Sequence, residues 1–81
     1  MEREFQINWP FLVEEAARRR RGMKVTQKQL ASLANVSTPT VSRFEQADKN
    51  LRLSSVLAIL AVLGMTDKRR LVLDGNDSAA P

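Results

Sequence analysis

The sequence contains no cysteine and no histidine. Without thiols, a disulfide framework, Cys-ligated zinc and thiol catalysis are all excluded. Without imidazole, the commonest general base and metal ligand is missing as well. No long apolar run is present: the longest, Val56 to Leu63, covers eight residues, whereas a membrane-spanning helix needs about 20. The opening MEREFQIN carries no secretory pattern. Glycine and proline are sparse at three each, and 43% hydrophobic with 27% charged residues is ordinary for a folded soluble protein. At 81 residues the chain makes one domain at most. A chain this short buries only about 60% of its unfolded surface, so a partner subunit would help its stability. The expectation is a cytoplasmic, non-enzymatic binding domain with no cofactor and no metal.

What the chain does have is basic charge, unevenly placed. Residues 18–52 carry nine bases against two acids, Glu45 and Asp48, a local balance of +7, although the whole chain is only +4. Basic charge gathered in one segment suits a polyanion, first of all DNA or RNA. A solvated helix face is the plainer alternative.

Phe5, Ile7 and Trp9 alternate with Gln6 and Asn8, which predicts a short extended segment over residues 1–9. Pro10 to Arg21 then reads as a helix. Pro10 suits its first turn, and four consecutive arginines favour its C-terminal end. Leu12, Ala16 and Met23 are its expected buried residues. Thr26 followed by Gln29 is a capping box. The helix it opens carries Leu30, Leu33 and Ala34 inward and Lys28 and Ser32 outward, and ends at Asn35, a residue that tolerates the left-handed conformation. Ser37 offers another N-cap with Pro39 in the first turn behind it, and Val41 and Phe44 supply core contacts. After a polar connection at 46–52, Leu53-Ser54 reads as the entry and cap of a fourth helix with Leu57, Leu60, Ala61 and Leu63 inward, closed by Gly64. Arg70 to Leu73 is strand-like, and 75–81 looks like a frayed tail.

The informative unit is the pair of helices 27–34 and 38–46. Two helices joined by about three residues must cross at a large angle. Ala31 is the small residue such a crossing needs, Val36 can plug the corner, and Val41 can secure the second helix from below. The outward residues of that second helix, Thr38, Pro39, Thr40, Ser42 and Arg43, are mostly short and polar, with one long bidentate donor. A helix meant only to be solvated would more often carry Glu and Lys.

The stretch from Val25 through TQKQLASLANVSTPTVSRFE to Gln46 resembles the helix-turn-helix of the XRE family, the phage repressor and Cro-like regulators. The resemblance extends over residues 12–65. It implies an all-α, four-to-five-helix lambda-repressor-like DNA-binding domain over residues 10–65, with short terminal strands and a C-terminal strand at 66–74 as a dimer contact. Two departures stand out: family members often carry glycine where this chain has Lys24 and again where it has Ala47.

Carried over residue by residue, the resemblance implies base contacts from Thr38, Pro39, Ser42 and Arg43. Arg43 is the foremost of these because a guanidinium can pair bidentately with guanine. It implies phosphate contacts from Gln27, Ser37, Thr40, Lys28 and Lys49, and a structural salt bridge between Arg20 and Glu45. The implied function is that of a homodimeric transcriptional regulator, a repressor by occupancy of a pseudo-palindromic operator in double-stranded DNA. A HipB-like antitoxin that also masks a toxin partner is the alternative, and a protein-interaction domain that does not touch DNA is a further one. No membrane partner is expected.

Overall fold

The computed structural model describes residues 8–66. They form four helices: α1 (Trp9–Gly22), α2 (Gln27–Ala34), α3 (Thr38–Glu45) and α4 (Leu53–Val62). The strand expected at 70–73 and residues 1–7 of the extended segment expected at 1–9 lie outside the described residues. Trp9 is already helical. Asn8, extended at φ −80 and ψ 92, is the N-cap, and its side chain accepts the Phe11 amide at 3.1 Å. The period of two therefore stops at Asn8, because an asparagine followed by a proline in the first turn is a helix start.

The α1 stripe that faces inward is Val13, Ala16 and Ala17, with Trp9, Leu12 and Arg20 partly buried beside it. Met23, expected inside, is 46% exposed. The helix ends one residue before it, so the helical period no longer carries it round to the core. In α2, Leu30, Ala31 and Ala34 are buried. Leu33 is 61% exposed instead, since in a helix of eight residues the three others already fill the core-facing sector. Leu30, Val41, Phe44 and Ile59 are fully buried at the centre. Trp9 meets Phe44 edge to face, ring centroids 5.7 Å apart and planes at 84°, a favoured aromatic arrangement.

α4 is the element whose facing was hardest to read. Its buried residues are Val56, Ile59, Leu60 and Leu63, spaced i, i+3, i+4, i+7. Leu57, 46% exposed, and Ala61, also exposed, lie on the outer side, not inward as expected. The helix LSSVLAILAV is apolar almost all round, so composition leaves its rotation open, and packing on α2 decides it. Its N-cap is Arg52 with no side-chain capping bond, which corrects the expected Leu53-Ser54 cap.

All four helices end in the same way. Lys24 (φ 61), Asn35 (φ 59), Ala47 (φ 65) and Gly64 (φ 73) each take the left-handed conformation at or just beyond a helix end. At each, the following amide folds back five residues: Val25 to the Arg20 carbonyl, Val36 to Ala31, Asp48 to Arg43 and Met65 to Leu60. These are Schellman closures. Lys24 and Ala47, the two departures from the family pattern, thus occupy positions where a Cβ is strained.

Between the ends of α1 and α3 lies an ion pair. Arg20 Nε donates to Glu45 Oε2 at 2.7 Å and its Nη2 to Oε1 at 3.3 Å, a side-on fork. The side chains are only 14% and 10% exposed. Arg20 Nη1 also donates to the Val25 carbonyl at 2.9 Å, fixing the chain that enters α2. Its neighbour Arg19 donates to the Leu63 and Gly64 carbonyls at 3.2 and 3.3 Å and so caps the end of α4. Arg18 and Arg19 both pair with Glu15. The Arg19 guanidinium first, then that of Arg18, holds the Glu15 carboxyl below the usual carboxylate range.

Two stability outcomes follow from this geometry. Ala47→Gly removes a Cβ that costs roughly 1–2 kcal/mol in the left-handed region and gives back part of that as unfolded-state entropy, about 0.4–1 kcal/mol. The variant should gain about 0.5–1 kcal/mol, read as a raised urea midpoint with an unchanged slope; a lowered midpoint contradicts the strain. Glu45→Ala strands the Arg20 guanidinium in a largely buried site and should lose about 1–3 kcal/mol, beyond the range of an exposed pair. A double-mutant cycle with Arg20→Ala should return a coupling energy, and a cycle that is simply additive removes the pair from the stabilising interactions.

Candidate nucleic-acid interface

α2, the turn at 35–37 and α3 form one unit because each local signal agrees with the packing. Thr26 accepts the Gln29 amide at 3.0 Å while the Gln29 side chain accepts the Thr26 amide at 2.8 Å, so the capping box is complete. Ser37 caps α3 by accepting the Thr40 amide at 3.2 Å, and its hydroxyl also meets that of Thr40 at 2.7 Å. Ala31, 2% exposed, lets the two helices approach, and Val36 packs against the core from the turn.

With Val41 and Phe44 turned fully inward, α3 presents Thr38, Pro39, Ser42 and Arg43 along its outer side. Thr38 and Ser42 are one helical turn apart, as are Pro39 and Arg43, so the four form two adjacent rows. Pro39 and Arg43 are exposed, and Thr38, Thr40 and Ser42 half-buried. Ser42 accepts weakly from Gln46 Nε2 at 3.4 Å. Lys28 and Lys49 are exposed.

Gln27, at the first turn of α2, donates through Nε2 to Glu45 Oε1 at 2.8 Å. Glu45 therefore holds two groups at once, Arg20 from α1 and Gln27 from α2. An amide nitrogen has two protons, so the anchored Gln27 keeps one to offer outward, at a helix N-terminus whose free amides favour an anion.

Arg43 is not free either. Its Nε donates to Asp48 Oδ2 at 2.8 Å and its Nη2 to the Asn50 carbonyl at 3.1 Å, while Asp48 Oδ1 accepts the Asn50 amide at 2.8 Å. The Asn50 amide first, then the Arg43 guanidinium, holds the Asp48 carboxyl below the usual carboxylate range. A lowered pKa means the contact is intact above that range and is lost only as pH falls through the lowered value. A polar cleft next to it is lined by Thr40, Arg43, Asn50, Leu51, Arg52 and Ser55. Asp48, Asn50, Arg52 and Ser55 were not singled out from sequence. Arg43 and Asp48 stand five apart, a spacing no regular helix brings together, and only the left-handed Ala47 folds one onto the other.

Among the described residues no group of His, Cys, Asp and Glu could hold a metal ion, and no helix is long and apolar enough to cross a membrane.

The family described as helix-turn-helix domain matches residues 12–73. A protein of Haemophilus influenzae, an uncharacterized HTH-type transcriptional regulator, is 36% identical over 55 residues, which are 68% of this chain and 56% of that protein. The chain thus spans little more than half the length of that relative. No solved structure matches the chain significantly. With its four helices, its capped α2–turn–α3 unit and a matched span that covers most of the sequence, the chain belongs to the helix-turn-helix domain family, in the XRE-like arrangement.

Proposed function

We propose that the chain binds double-stranded DNA in a sequence-specific manner and regulates transcription, with α3 in the major groove. The carrying observation is the outer side of α3. Pro39 and Arg43 are exposed there and Thr38 and Ser42 half-buried, while Val41 and Phe44 on the inner side are wholly buried, and these four suit base contact better than mere solvation. Arg43 supplies the bidentate donor for guanine, Pro39 an apolar contact, and Thr38 and Ser42 hydroxyls. Gln27 clamps a phosphate from the α2 N-terminus, with Ser37, Thr40, Lys28 and Lys49 as further backbone contacts. The H. influenzae relative, by its description a transcriptional regulator, supports the same reading. Regulation follows by occupancy, most simply as repression.

The acting form in this proposal is a homodimer, one α3 per half-site.

Selection from a randomised duplex library tests the site. Arg43→Ala should cost about 1–3 kcal/mol on the selected duplex and relax preference at one base pair. Gln27→Ala should weaken all sequences alike and leave the logarithmic salt slope unchanged, since a neutral amide displaces no counterion, whereas Lys28→Ala should make that slope about one unit shallower. Uniform loss in Arg43→Ala and Gln27→Ala alike refutes this division of roles, and affinity that ignores salt refutes DNA binding. The dimer is tested by removing residues 70–81. The shortened chain should sediment as monomer at micromolar concentration with its helical signal kept and operator affinity reduced. A dimer as tight as the full chain shows that this segment is not the contact.

A further inference from the structure

We propose that Asp48 is a positioning residue for Arg43, setting which edge of its guanidinium meets DNA. The inference rests on the reading of Arg43 as the base reader and adds a residue that confers specificity without touching a base.

A guanidinium presents two forks to a base. The side-on fork uses Nε and Nη2, and the end-on fork uses Nη1 and Nη2. In this structure the side-on fork is occupied: Nε is on the Asp48 carboxylate at 2.8 Å and Nη2 on the Asn50 carbonyl at 3.1 Å. Five N–H donors minus these two leave both protons of Nη1 and one of Nη2. A proton thus remains on each terminal nitrogen, which is what an end-on contact spanning guanine O6 and N7 needs. The contact therefore leaves Arg43 able to bind and removes one of its two ways of doing so.

The backbone determines the position of Asp48. The Asp48 amide closes on the carbonyl of Arg43 itself at 3.0 Å through left-handed Ala47, so main chain and side chain of the same two residues are tied twice. The other carboxylate oxygen, on the Asn50 amide, stops Asp48 from turning away. The Arg43 side chain remains half exposed, at 50%, so the edge that Asp48 does not hold has room to meet a ligand. There is a further consequence for discrimination. An acid at the edge of a basic face lowers attraction to any phosphate backbone, so Asp48 weakens non-specific binding while it orders the specific contact.

Asp48→Asn is the decisive variant. It retains an oxygen for the Asn50 amide and so keeps the turn, but places an NH₂ opposite Arg43 Nε, where two donors meet. Full-length protein is measured on the duplex selected from the random library, on its single base-pair substitutions and on a random duplex. At the base pair relaxed by Arg43→Ala, Asp48→Asn should lower discrimination about 3- to 10-fold, the scale of fixing one long side chain. Discrimination elsewhere and the thermal midpoint should hold, and random-duplex affinity should hold or rise. Adding Asp48→Asn to Arg43→Ala should bring no further loss at that base pair. If Arg43→Ala relaxes a base pair and Asp48→Asn leaves discrimination there intact or sharper, the positioning role is overturned while the base reader stands. If Arg43→Ala relaxes none, the base reader falls and the positioning role with it. A loss spread over every base pair, or a lowered midpoint, marks Asp48 as structural only and overturns the proposal.

Discussion

The Glu45 carboxylate is the constraint on which the placement of α1, α2 and α3 depends. It accepts the side-on fork of Arg20 and the amide of Gln27. Three helices therefore meet on two oxygen atoms. An ionised carboxylate with such low exposure would be costly alone, and a guanidinium beside it equally so; each is tolerable because the other is fixed within hydrogen-bonding distance. Arg20 adds the Val25 carbonyl, just ahead of the α2 capping box. The start of α2 and the end of α3 are thus held together by one charge pair, which fixes the spacing between Gln27 and the outer side of α3.

The second constraint is how the chain turns. Four short helices in about sixty residues leave little length for loops, and every described helix end uses the left-handed residue that reverses direction most quickly. Glycine would do this without strain, yet only Gly64 is one. Asn35 is the next best, since its side chain tolerates that region. Lys24 and Ala47 are neither, so the packing of Leu30, Val41, Phe44 and Ile59 must hold them there. Burying Phe44 alone is worth about 3–5 kcal/mol against alanine, which exceeds the roughly 1–2 kcal/mol of either strained residue. The core outweighs the turns.

This ordering explains what was legible in the sequence. Thr26 with Gln29, Asn35, and Ser37 ahead of Pro39 are local signals, each needing only its neighbours within four residues, and they delimit α2 and α3. Val41 and Phe44 were readable because polar residues surround them. Leu33, Leu57 and Ala61 were not, because leucine and alanine occur on both sides of α2 and α4, and rotation is then settled by which neighbour arrives. The α1 arginines look alike in sequence but differ in structure. Arg20 serves Glu45, Arg19 caps α4, Arg18 stays with Glu15, and Arg21 is exposed. Position on the helix, not residue type, divides these roles.

The same distinction applies to the recognition surface. Residue types on α3 indicate what could touch a base, but not in which orientation. Two long polar side chains at this face, Gln27 and Arg43, are each held by a carboxylate, one from within α3 and one from the loop behind it. Glu45 is nearly covered, whereas Asp48 is more open, with 27% of its side chain exposed. Removing a covered carboxylate leaves a charge stranded and is costly, whereas water can replace an open one at little cost to stability. Two acids in a segment otherwise rich in bases are therefore not dilution of its positive charge. They hold Gln27 and Arg43 at two depths, and on the proposed reading the covered acid serves stability and the open one selectivity.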